Sequence, residues 1–191
     1  ITIGNIVGSN ILNILIILGV TSVIVAVSVQ KSTVRYEIPF MLVITVMLAI
    51  FGYTSGHITF WEGIIFWIAF TIYLAYLFIM AMNNKVEVEE TKKRPVWMLI
   101  LFVVIGIILV VWGSDVTVDA ATMIARAAGL SQRFIGLTIV ALGTSLPELV
   151  TSVSAARKGK ADIAIGNIVG SNIFNILFVV GTTALITPVV F

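Results

Sequence analysis

The sequence predicts an all-α membrane protein, a polytopic helix bundle built on inverted-topology repeats. Three observations predict it: an apolar composition, long charge-free runs, and a duplicated motif. Of the 191 residues, 60% are hydrophobic and 10% charged, with a mean hydropathy of +1.17. A soluble domain runs at about 45–50% apolar and about 25% charged, so this chain has too little polar surface to coat a water-soluble globule. At about 20 apolar residues per span, its length accommodates about six membrane helices. It has no cysteine, which excludes a disulfide framework, a thiol nucleophile and cysteine-ligated metal centres. The net charge of +2 is too small to suggest a nucleic-acid partner, and lipid is the expected one.

Charge-free stretches mark the spans: Ile1–Gln30, Ile38–Trp61, Gly63–Asn84, Pro95–Ser114, Phe134–Ala156 (interrupted by Glu148) and Ile163–Phe191. Such runs argue for membrane helices over buried soluble ones. Tyr53-Thr54-Ser55-Gly56-His57 is a polar turn between the second and third runs. Asn83–Arg94 reads as a solvated loop, and Pro95 opens the next helix at a position proline tolerates. The first span has no methionine or basic segment before it, unlike a signal peptide, which suggests a chain that begins within a membrane segment.

Lysine and arginine set the orientation. Alternate connections carry Lys31 and Arg35, then Lys85, Lys92, Lys93 and Arg94, then Arg157, Lys158 and Lys160; those on the other side carry only Arg126 and Arg133. This bias places the basic connections, including the loop at Asn83–Arg94, in the cytoplasm.

The repeat decides the architecture. Ile1–Gly19 and Ile163–Gly181 align without gaps with 14 of 19 positions identical, including the run Gly-Asn-Ile-Val-Gly-Ser-Asn. The copies lie in the first and sixth spans, so they cross the membrane in opposite directions, an arrangement characteristic of secondary transporters with a midplane site. On this reading residues 1–82 are the remainder of a first repeat, 83–95 the cytoplasmic loop, and 96–191 a second repeat expected to be incomplete at its C-terminus. The second copy follows a span bearing Gly143-Thr144-Ser145-Leu146-Pro147-Glu148, and nothing here matches that span ahead of the first copy. The expectation is a fragment lacking an N-terminal portion of the first repeat, a segment needed to complete the site.

Asn5, Ser9 and Asn13 recur every fourth residue and share a helix face, as do Asn167, Ser171 and Asn175. Gly4 with Gly8, and Gly166 with Gly170, have the spacing that lets membrane helices approach closely. Glu148 is the one carboxylate deep within an apolar span, where a charge costs about 3 kcal/mol even on lenient insertion scales. Thr144 and Ser145 stand four and three residues before it, on the same face. Pro147 has no amide hydrogen and should leave the Gly143 carbonyl without its usual partner. Broken membrane helices of this kind are tolerated where backbone oxygens line a cavity. Carboxylate, hydroxyl, amide and carbonyl oxygens together suit hard cations such as calcium or sodium.

GTSLPE at Gly143–Glu148, followed by GNIVGSNIFN, resembles the second alpha-repeat of sodium/calcium exchangers of the cation/calcium antiporter superfamily, prokaryotic type. Ile1–Gly19 resembles the latter part of the first alpha-repeat, and the likeness runs in order from the third to the eighth helix of a ten-helix fold. It implies that Glu148 is one of two central glutamates that coordinate calcium, the other lying in the absent segment. It implies further that Thr144 and Ser145 supply backbone and hydroxyl oxygens, that Ala141 supplies a carbonyl, and that Ser9, Ser171, Asn13 and Asn175 surround sodium. Several members carry aspartate where this chain has Asn175, which lowers the negative charge of the site.

The function expected on these grounds is secondary antiport of calcium against sodium in the cell membrane, with the ions as cargo and no cofactor. A proton/calcium exchanger is the alternative. An intramembrane hydrolase would need a base near Ser145, and no lysine or histidine reaches that depth, so no enzymatic role is expected. Among the remaining residues, Asp115, Asp119 and Arg126 suit a solvated vestibule, Glu37 and Glu62 read as interfacial carboxylates, and His57 as structural. Trp61, Trp97 and Trp112 read as interfacial anchors, and Asp162 as a helix cap.

Overall fold

The computed structural model describes residues 2–26, 29–83, 95–135, 138–139 and 141–191. Among the described residues, five helices are long and apolar enough to cross a membrane: α1 (Ile3–Ile24), α2 (Thr33–Ser55), α3 (Phe60–Asn83), α4 (Val96–Ala127) and α8 (Ala161–Ile186). Between α4 and α8, the fifth predicted span is broken into α5 (Gln132–Ile135), α6 (Ala141–Thr144) and α7 (Leu146–Arg157). Two short strands, β1 (His57–Ile58) and β2 (Val189–Val190), pair antiparallel. Most of the loop read at Asn83–Arg94 lies outside the described residues, because Asn84 onward is not among them.

The α2–α3 turn follows from its residues. Gly56 closes α2 with φ 69°, a left-handed conformation that glycine adopts without a Cβ penalty. Thr59 then starts α3: the Glu62 carboxylate accepts from the Thr59 amide at 2.6 Å and from its hydroxyl at 2.8 Å, the carboxylate half of a capping box. Glu62 is therefore a capping residue. His57, read as a lone loop residue, lends its backbone to the ladder opposite Val190.

Several boundaries differ from those read in the sequence. The fourth span continues past Ser114 to Ala127, a helix of 32 residues and so about 48 Å long. That exceeds a hydrocarbon core of about 30 Å, which is why Asp115, Asp119 and Arg126 can ride on it, all exposed. Trp97 and Trp112 are exposed on the same helix about 22 Å apart along its axis. The sixth span stops at Ile186 because Thr187, next to Pro188, is driven to extended geometry at φ −154°, ψ 144°. Asp162 lies in the first turn of α8 and caps nothing; it accepts a hydrogen bond of 2.7 Å from Gln30 Nε2. Glu37 is buried in the second turn of α2, hydrogen-bonded with Thr33.

The chain packs as two compact units. The first comprises Ile1–Ile72 and Thr144–Phe191. In it Trp67 and Phe70 of α3 meet Phe174 and Phe178 of α8, with ring centroids 5.3–5.9 Å apart across the two helices. The close helix approach expected at Gly4, Gly8, Gly166 and Gly170 does not occur at them: among the described residues, a Cβ there would meet nothing within 4 Å. It occurs between Gly63 of α3 and Gly181 of α8 instead. The second unit is Tyr73–Gly143, where Gly143 lies against the Val118 side chain and Arg126 Nη2 donates to Gln132 Oε1 at 3.4 Å.

Candidate cation site

The first unit brings the duplicated motifs face to face. Both motif helices contain a wide turn in which amides reach five residues back, at Asn13–Ile17 in α1 and Asn175–Val180 in α8. In α1 the Leu18 amide donates to the Asn13 carbonyl. Each turn opens on the equivalent asparagine of its repeat, and such turns occur frequently at functional sites. The wide turn of α1 packs against both α7 and α8, and that of α8 packs back on α1.

α7 carries the carboxylate. The helix breaks at Ser145 (φ −101°, ψ 2°), two residues before Pro147, whose ring nitrogen has no proton for the Gly143 carbonyl. Glu148 stands in the first turn of α7, nine residues before Arg157, so about 13 Å deeper than that cation. If Arg157 marks the interface, Glu148 lies near the middle of a core about 30 Å thick. The residue is half-buried, and its Oε2 is fully buried with no hydrogen-bond partner among the described residues. A lone buried carboxylate oxygen is costly unless a proton or a cation satisfies it.

Asn167 fixes α7 against α8. Its Nδ2 donates to Ser152 Oγ at 3.2 Å and to the Glu148 carbonyl at 3.4 Å. Asn5, its counterpart in the first copy, is exposed, so this position breaks the symmetry of the repeat.

The other expected site residues are distributed as follows. Ser145 and Ser9 are buried, Asn13 is 1% exposed, and Ser171 and Asn175 are half-buried. The backbone of Thr144 and Ala141 lies in α6, and their side chains are outside the described residues; Ala141 belongs to the second unit. Asn13 Oδ1, like Glu148 Oε2, is a buried oxygen without a partner among the described residues.

Two residues that the four-residue spacing passed over stand at the centre, Asn10 and Asn172. Asn10 Nδ2 donates to the Asn172 carbonyl at 3.3 Å, and Asn172 Nδ2 to the Asn10 carbonyl at 3.4 Å. Asn13 Nδ2 donates to Asn172 Oδ1 at 2.9 Å, and Asn175 Nδ2 to Asn10 Oδ1 at 3.0 Å. Each bond in one direction has its counterpart under exchange of the repeats. The signal that could have found them was in the motif itself, since both asparagines survive in the two copies.

The chain matches the family model described as sodium/calcium exchanger protein over residues 1–79 and 98–191. It is 37% identical over 198 residues to the inner membrane protein YrbG of Escherichia coli, covering 97% of this chain and 60% of that protein. To the sodium/calcium exchanger MaX1 of Methanosarcina acetivorans it is 47% identical over 88 residues, 46% of this chain and 25% of that one. A solved structure of the sodium-calcium exchanger NCX_Mj, soaked with Na+ and Sr2+, matches with a TM-score of 0.79 at 34% identity, over 98% of this chain and 61% of that one. The chain thus spans less than two thirds of the length of these proteins.

Proposed function

Because the chain belongs to the sodium/calcium exchanger protein family and is an integral membrane protein, we propose that the complete protein exchanges calcium for sodium through an acidic site at the middle of the bilayer. The observation that carries this reading is the buried, unpartnered Oε2 of Glu148 at a helix break, packed among elements that bear the duplicated serine–asparagine motifs. Glu148 supplies the charge that this chain contributes; Ser145, Thr144, Ser9, Ser171, Asn13 and Asn175 supply neutral oxygens. Hard cations take this donor set, and the flexible geometry suits calcium and sodium better than the tight octahedron of magnesium.

One anionic centre shared by two cations in turn accounts for antiport. Calcium at Glu148 displaces the sodium that otherwise neutralises it, so each ion leaves as the other binds. Movement of other helices against the motif-bearing pair would expose the site to alternate sides. The ions are cargo, and neither a cofactor nor an enzymatic step enters. The cell membrane is the proposed location, supported by the inner-membrane protein of E. coli among its relatives. Proton/calcium exchange is the second reading, favoured by the neutral Asn175 where related proteins carry aspartate.

The test uses the complete protein in vesicles, with calcium uptake driven by an outward sodium gradient and, separately, by a pH gradient. Uptake with sodium alone supports the first reading, and uptake with the pH gradient alone the second. Glu148→Gln keeps the shape and removes the charge; exchange at an undiminished rate in that variant would overturn the site.

A further inference from the structure

We propose that Asn10 and Asn172 are positioning residues, a reciprocal amide clasp between the two repeats that aims the side-chain oxygens of Asn175 and Asn13 at the transported cation. The inference rests on the exchanger reading above and adds to it two residues which themselves touch no ion.

The geometry determines which way each amide faces. A backbone carbonyl accepts and cannot donate, so the Asn10 atom facing the Asn172 carbonyl is nitrogen, and the Asn172 atom facing the Asn10 carbonyl is nitrogen too. Their oxygens then face the second pair, and only a donor can meet them. Asn13 and Asn175 therefore turn their nitrogens inward, at 2.9 Å and 3.0 Å. Their own oxygens are left pointing away from the clasp. For Asn13 that oxygen is buried without a partner among the described residues. An unsatisfied buried acceptor costs about 1–3 kcal/mol, a penalty that a bound cation removes.

The clasp leaves no loose end of its own. Asn172, 1% exposed, has its remaining amide hydrogen directed at Met41 Sδ, 3.8 Å away. With its oxygen taken by Asn13 and its nitrogen shared between the Asn10 carbonyl and this sulfur, the side chain cannot flip without losing all three contacts. Asn172 and Asn13 also sit near the midpoints of α8 and α1, at the depth expected of the site. Groups that orient a ligand in this way affect metal affinity about 10–100-fold when removed.

Thermal unfolding of the complete protein, titrated with sodium chloride and separately with calcium chloride, tests the clasp through a double-mutant cycle. Asn172→Leu should raise the half-effective sodium concentration about tenfold, as Asn13→Leu should, and the double variant should resemble Asn13→Leu alone. Asn172→Asp keeps an acceptor for Asn13 and should lie between the wild type and Asn172→Leu. If Asn172→Leu does not fold, Asn10→Leu with Asn175→Leu forms the mirror cycle. A half-effective concentration unchanged in Asn172→Leu, or single effects that multiply in the double variant, would refute the clasp. A wild type whose stability ignores both cations would remove the exchanger reading and the clasp with it; a responsive wild type with equally responsive variants removes the clasp alone.

Discussion

Gly63 and Gly181 lie so close that a Cβ on Gly63 would stand 3.0 Å from the Gly181 carbonyl oxygen, and 3.0 Å from Ala184 Cβ. Backbone cannot yield as a side-chain tip can. Gly63→Val should therefore destabilise the protein by about 1–3 kcal/mol through overpacking, read as a lower midpoint of thermal unfolding in detergent. Gly106→Ala in α4 is the control: a Cβ there meets nothing within 4 Å among the described residues, so the midpoint should hold or rise slightly.

Pro147→Ala restores an amide hydrogen four residues after Gly143 and favours a continuous helix through Ser145. The expected outcome is a thermal midpoint equal to or above the wild type, with the stabilisation by calcium lost. A variant that keeps its full response to calcium would show that the break has no part in cation binding.

Glu148→Asp retains the charge and withdraws it by one methylene. If the carboxylate is a ligand, the half-effective calcium concentration rises at least tenfold, equivalent to about 1.4 kcal/mol. If it acts only as a diffuse charge, calcium titration of unfolding gives the wild-type value.

Asn175→Asp exchanges the donor to Asn10 Oδ1 for a carboxylate facing that oxygen at hydrogen-bonding distance. Two acceptors repel, so the cation-free protein should be less stable than the wild type. Calcium relieves the added negative charge, so the increment on adding it should grow. Paired melts with and without calcium chloride read both signs.

Glu62→Ala removes the acceptor for the Thr59 amide and hydroxyl, which should cost about 1 kcal/mol. Hydrogen exchange confined to the first turn of α3 separates this local fraying from global unfolding.

The bundle and its centre were legible to different degrees, for physical reasons. Charge-free length and the duplicated motif announced the membrane helices, and Pro147 announced the break at Ser145. The helix ends were less visible: α4 tolerates Asp115 and Asp119 because it outlasts the hydrocarbon, a property no local composition encodes. Glu37, read as interfacial from its place beside a span, is buried with Thr33 by tertiary packing. The four-residue rule selected Asn5, Ser9 and Asn13 as one face, yet Asn5 is exposed and the contact between repeats runs through Asn10 and Asn172. A single-helix periodicity cannot say which stripe meets a symmetry-related neighbour, and the wide turn beginning at Asn13 shifts the stripe further.

The ladder between His57–Ile58 and Val189–Val190, with the Phe191 amide donating to the Gly56 carbonyl at 3.0 Å, has a mechanical corollary. It rivets the exit of α8 to the hairpin joining α2 and α3, so any sliding of α8 along its own axis must first unzip those rungs. These three helices share one anchorage at that end.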